Sequence, residues 1–146
     1  MAKRVRSRHQ VESASRFGAE LMATIVCGID DSPAALEALR VASVLSARVD
    51  ARLVLAHAAG STAHRSGTQL LERAAHEHNP GAERRVEVGH PSDALARIAA
   101  EEAATLIVLG SRRRRLLRGR LGSGLAGDLA ATAPCPVVVV PPPAPR

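Results

Sequence analysis

The chain has 146 residues, 46% of them apolar, with a net charge of +6, which is the size and composition of one folded domain rather than of a disordered segment. No apolar run approaches the ~20 residues that a helix needs to cross a bilayer. The basic excess is local: residues 1–21 carry +3 and residues 110–120 carry +6 with no acid, which leaves −3 for the rest. A mildly acidic body, in a chain whose single aromatic is Phe17, lacks both the basic face and the stacking platforms of nucleic-acid binders. Nucleic acid and membrane are therefore not expected as partners.

Residues 1–21 show no sustained helix or strand period and read as a basic, flexible extension. Their apolar content is too scattered for the core of a secretory signal, so a cytoplasmic protein is expected. Met22 directly precedes the first strand-like run, so translation from Met1 and from Met22 both fit the pattern. Residues 22–146 form the expected domain.

Thr24–Ile29 is short, apolar and β-branched, the pattern of a strand. Ser32 follows as a helix N-cap, with Pro33 preorganised for the first helical position. The spacing predicts a helix to about Ala47, with Leu36, Leu39 and Leu45 among its inward residues. Ala51–His57 reads as a second strand, Gly60–Gly67 as a polar loop and Thr68–His78 as a short helix stopped by Asn79-Pro80-Gly81. Arg84–Val88 alternates, with Val86 and Val88 on one face and Glu87 on the other, as suits an edge strand with one wet face. His90-Pro91-Ser92 leads into a helix carrying Leu95, Ile98 and Ala99 at helical spacing. Thr105–Leu109 is apolar throughout, as a strand buried on both faces should be. A glycine-weakened helix over Ser123–Ala133 and a last strand over Val137–Val140, ended by three prolines, complete the chain. Strict β-α alternation with short loops predicts a parallel sheet with helices on both faces. Cys27 and Cys135 form no CxxC and sit among apolar residues, the habit of buried free thiols.

Ligands of such sheets bind beyond the carboxyl ends of the strands, where the strand order reverses. Two segments fall there: Asp30-Asp31 after the first strand, and Gly110–Gly124 (GSRRRRLLRGRLGSG) after the fourth. Gly122-Ser123-Gly124 would open the last helix, whose N-terminus favours an anion. The same residues equally fit a plain turn in which Ser123 caps the helix. No Walker A motif and no GxGxxG is present. His76 and His78 lack an evident third metal ligand and read as a solvated helix face. His57 reads as a satisfied strand-end histidine. No nucleophile, base and orienting group can be assembled into a catalytic set.

The runs TIVCGIDDS, GHPSDALARIAAEEAATLIVLGSR and APCPVVVV resemble the universal stress protein family over residues 23–141. That resemblance implies a Rossmann-like domain with five parallel strands in the order 3-2-1-4-5, in most members a dimer, and it implies ATP binding in some members only. In ATP-binding members the loop after the fourth strand follows G-x2-G-x9-G-[S/T]. Gly110 matches the first glycine, and Gly122 and Ser123 the final pair. Arg113 stands at the second glycine, and the span is one residue short. By the same resemblance Asp30 contacts the adenosine end, while Ala58 and Leu109 line the base. Gly110, Arg112, Arg113, Gly122, Ser123 and Gly124 then lie along the phosphates. Arg113 crowds a turn that the family keeps bare, yet Arg112–Arg115, Arg118 and Arg120 are strong donors to phosphate oxygens.

Four consecutive valines on an edge strand invite pairing. A two-fold dimer through Val137, Val138, Val139 and Val140 would cover them, as would the proline-rich tail folding back. The expected function is that of a dimeric stress-response regulator or sensor that binds ATP, alone or with magnesium, and hydrolyses it slowly at most. The alternative is a non-nucleotide interaction module whose arginine loop contacts an acidic protein, polyphosphate or nucleic acid.

Overall fold

In the segment TIVCG alternate side chains belong to opposite faces of a strand, and a computed structural model, which describes residues 22–111 and 124–146, buries both faces. This strand, β1 (Thr24–Gly28), is the middle of five: β2 (Arg52–Ala59), β3 (Glu83–Val88), β4 (Leu106–Gly110) and β5 (Val137–Val140). The spatial order is β3-β2-β1-β4-β5, and every pair is parallel. The helices are α1 (Pro33–Val49), α2 (His64–His78), α3 (Pro91–Glu101) and α4 (Leu125–Thr132). The parallel sheet expected from the alternation, and the Rossmann-like strand order implied by the resemblance, are those observed. The proposed extension, residues 1–21, lies outside the described residues.

The two-residue period sorts the core into two layers. Ile25, Cys27, Ile29, Leu53, Leu55 and Val108 meet α1 and α2, around Leu39 and Leu71. Val26, Val54, Ala56, Ile107 and Leu109 meet α3 and α4, around Leu95, Ile98 and Leu129. Leu39, Leu55, Leu71, Ile98, Ile107 and Leu129 are fully buried, and each side chain of this kind contributes about 2 kcal/mol. Cys27 lies wholly inside, and burial pushes its thiol up to about 12. Cys135, expected to be buried as well, is only half-buried.

Ser32 caps α1 as expected: its Oγ accepts from the Ala35 N–H at 3.1 Å, and Pro33 occupies the first turn. The inward face of α1 differs from the expectation. Leu39 is buried, but Leu45 is only partly so and Leu36 is exposed. Alanines 34, 35, 38 and 42 hold inner positions beside Leu39, and in the first turn the helix backbone lies directly on the end of β4, at Gly110. The helix ends at Val49, with Asp50 in the left-handed region (φ 53°). α2 begins one turn earlier than expected, at His64, inside the segment read as a loop. Gly67 packs that added turn against β2.

The edge strand β3 has two unlike faces. Val86 packs toward α2. Glu83, Arg85 and Glu87 take the other face, in a network of ion pairs. Arg52 reaches Glu83 (Nη2–Oε2 2.7 Å) and Glu102 (2.9 Å), Arg85 reaches Glu102 (2.6 Å) and Glu101, and Arg97 reaches Glu87 (3.2 Å).

Candidate functional site

The sheet opens where β1 stops. Pairing of β1 with β2 ends at Gly28↔Ala56, and pairing with β4 ends at Cys27↔Val108. β2 nevertheless runs on to Ala59 and β4 to Gly110. Chain order reverses at β1, with β2 on one side and β4 on the other. The strands therefore flank a cleft at the topological switch point, the usual ligand position in an open α/β sheet.

The backbone leaving β1 is held closely. The Ile29 N–H donates to the Ala56 carbonyl at 2.8 Å, and the Ile29 carbonyl accepts from His57 Nδ1 at 2.7 Å. A carbonyl can only accept, so the proton of a neutral His57 sits on Nδ1. Asp30 is half-buried, and its Oδ1 accepts from the Ser32 N–H at 2.8 Å. That bond tightens the turn into α1 and fixes the carboxylate at the mouth of the cleft. Asp31 is exposed.

Across the cleft, Gly110 has a packing duty. A Cβ there would lie 2.4 Å from the backbone carbon of Ala34 and 2.5 Å from its carbonyl oxygen. Only glycine lets the first turn of α1 rest on the end of β4. The Ser111 N–H continues the ladder to Val140 O at 2.7 Å. Leu109 is buried, its side chain in the α3-side core and against Gly28. Ala58 is half-buried at the end of β2. Gly124 precedes α4 with φ 117°, a conformation that favours glycine, and a side chain there would meet open space. Asp128 already sits in the first turn of α4, where it competes with any anion for the helix N-terminus.

The structure thus brings Asp30, Ala58 and Gly110 to one end of the sheet, with Leu109 beneath them. Arg112, Arg113, Gly122 and Ser123 lie outside the described residues. Sequence reasoning did not connect His57 to the site, nor Gly67 to His57. A Cβ on Gly67 would fall 2.7 Å from His57 Cδ2, a relation no local pattern carries. Among the described residues no group of three or more His, Cys, Asp or Glu could hold a metal ion, and no helix is long and apolar enough to cross a membrane. His76 lines a shallow depression with Thr68, Gln69, Glu72 and Arg73, on the outer face of α2 alone.

Comparison with known proteins agrees with this geometry. Residues 59–141, more than half of the chain, match the universal stress protein family. A solved universal stress protein in complex with cAMP is 29% identical, with a TM-score of 0.68, covering 84% of this chain and 98% of that one. A universal stress protein from Archaeoglobus fulgidus in complex with dAMP shares the fold at 23% identity (TM-score 0.61, covering 82% and 97%). So does a family protein from Arabidopsis thaliana with AMP bound, at 22% identity (TM-score 0.62, covering 84% and 93%). No curated protein sequence matches the chain. By its matched residues and its strand order, the chain belongs to the universal stress protein family.

Proposed function

We propose that the protein is an adenine-nucleotide-binding regulator of the stress response, with ATP as its ligand, alone or with magnesium, and slow hydrolysis at most. The observation that carries this reading is the cleft beyond Gly28, where β1 leaves both neighbours while β2 and β4 run on. The 29% identical relative in complex with cAMP supports an adenine nucleotide as its occupant. Asp30 holds the adenosine end. Ala58 and Leu109 lie along the base, the latter as packing from below. Gly110 and Gly124, together with Arg112, Arg113, Gly122 and Ser123, serve the phosphates. The arginines replace, as donors, the bare backbone that Arg113 takes from the loop.

Residues 22–146 act as the domain in this reading, residues 1–21 as an extension, and the protein works in the cytoplasm as a dimer through Val137–Val140. The dimer is supported by Val139, which is 44% exposed on an unpaired sheet edge.

Calorimetric titration of Mg-ATP, AMP and cAMP into the full chain tests the reading. Saturable 1:1 binding that persists at moderate salt and is lost in Asp30→Ala is the expected result. Heat that salt abolishes and Asp30→Ala leaves unchanged would favour instead an interaction module working through the arginine loop, because polyanion contacts of several arginines weaken steeply with salt.

A further inference from the structure

In a parallel ladder alternate residues turn their backbone groups to opposite neighbours. The Ile29 N–H donates to Ala56 O, so Ala56 faces β1. The Gly89 N–H donates to Ala59 O, so Ala59 faces β3. Ala58, two residues beyond Ala56, therefore turns its N–H and carbonyl toward β1. One more regular step would bring the Ala58 N–H onto the Ile29 carbonyl. That step is not taken: the pairing ends at Gly28↔Ala56, and the Ile29 carbonyl is occupied by His57 Nδ1 at 2.7 Å. The imidazole stands where the next ladder bond would form.

The surroundings of the ring on the α2 side hold it in this role. His57 shares the α2-side face with Leu53 and Leu55, alternate residues of the same strand. Val86 is its register partner on β3, and Gly67 of α2 lies over it: a Cβ on Gly67 would approach Cδ2 to 2.7 Å and Nε2 to 3.5 Å. A larger residue at position 67 would push the ring from its station. The Ile29 carbonyl directly precedes Asp30, so the bond also sets the direction in which the Asp30 carboxylate leaves the sheet.

We infer that His57 is a positioning residue for the nucleotide site: by capping the Ile29 carbonyl in place of Ala58, it keeps the β1–β2 end unzipped and leaves the Ala58 N–H available to a ligand. Without the imidazole, Ile29 O and Ala58 N–H pair with each other and the cleft closes by one ladder step. This inference rests on the nucleotide reading above. A buried carbonyl rarely stays unpaired, which gives the closing step its driving force.

The test titrates AMP and Mg-ATP into the full chain carrying His57→Leu, His57→Asn or Gly67→Ala, with thermal melts and amide exchange at Ala58 measured on each. Asn keeps a donor near the position of Nδ1, and Leu removes it. Loss of one such hydrogen bond corresponds to about tenfold in affinity. The expected pattern is binding weakened about tenfold in His57→Leu and in Gly67→Ala, and held within about threefold in His57→Asn. The Ala58 amide should exchange quickly in the ligand-free wild type and slowly in ligand-free His57→Leu. Wild-type affinity in His57→Leu would overturn the positioning role and leave the nucleotide reading standing. An equal loss in His57→Asn and His57→Leu, with unchanged exchange at Ala58, would reduce His57 to a packing residue and overturn it as well. Failure of the wild type to bind AMP, cAMP and Mg-ATP would overturn both. Should His57→Leu not fold, Gly67→Ala decides, with wild-type affinity and exchange counting against the inference.

Discussion

The two edge strands of this sheet meet the same hazard in opposite ways. β3 presents Glu83, Arg85 and Glu87 on one face and ties them to Arg52, Arg97, Glu101 and Glu102. A strand carrying paired charge gives a stray strand little reason to add to it. β5 has four valines and no charge, and Val139 is exposed. The first edge is closed by its own side chains, and the second by a partner, in the dimer proposed above. In that proposed dimer, edge chemistry separates the side of the molecule that stays in water from the side that is covered.

That contrast can be broken at several points, and the largest effect is expected where β5 meets β4. Gly110 pairs with Val140 and lies against the α1 backbone. Gly110→Ala should cost about 3 kcal/mol of stability, read as the midpoint of urea unfolding. A fall of under 1 kcal/mol would mean that α1 can lift from the sheet without penalty. Next comes the apolar edge itself. Val139→Lys should shift the protein from dimer to monomer in sedimentation velocity, by about 2 kcal/mol of association, with little change in the fold. An unchanged dimer would place the interface elsewhere.

On the charged edge the effects are smaller and depend on pH. Arg85, and then Arg52, hold the Glu102 carboxyl below its ordinary value of 4.5, against the burial that opposes them. A carboxyl with a lowered native value stabilises the fold above the unfolded value, and that contribution is lost as the pH falls through the lowered one. The melting temperature of the wild type should therefore decline on acidification below about pH 5. Glu102→Gln should be less stable by about 1 kcal/mol at neutral pH and should show a shallower decline. A parallel acid profile in the variant would assign the acid sensitivity to other carboxylates. The smallest effect is expected at Val88, exposed at the end of β3. Val88→Thr should change neither the melting temperature nor the oligomeric state beyond about 0.5 kcal/mol, and a monomer there would reverse the assignment of the two edges.

Element order and sheet class were legible in the sequence because they rest on short-range signals. The β-branched runs, Ser32-Pro33 and the proline stop after Val140 each act over a few residues. The inward face of α1 was not legible from hydrophobicity alone. Leucine is the more apolar residue, but the room beneath the helix is set by Gly110, 75 positions or more away from Ala34 and Ala35, and it admits alanine. The first turn of α2 was missed for a related reason. His64–Gly67 is polar and glycine-containing, and it is helical because Gly67 fits over His57. Asp30, Ala58 and Gly110 were placed near the site by strand ends and family resemblance. The bond from His57 to Ile29 O joins β2 to the residue that follows β1, across a gap of 28 positions, and no local pattern announces it.

Cys27 gives the molecule a built-in clock. It lies in the middle strand and is wholly enclosed, and its thiol, pushed up to about 12, holds almost no thiolate at neutral pH. Reagent can reach it only when the sheet parts, so its labelling rate reports how often β1 separates from its neighbours. The half-buried Cys135 beside β5 should react first and serve as the internal reference. A nucleotide seated at the end of β1 would slow the Cys27 clock and leave Cys135 unaltered, so ligand binding could be timed from inside the core with no label added to the site.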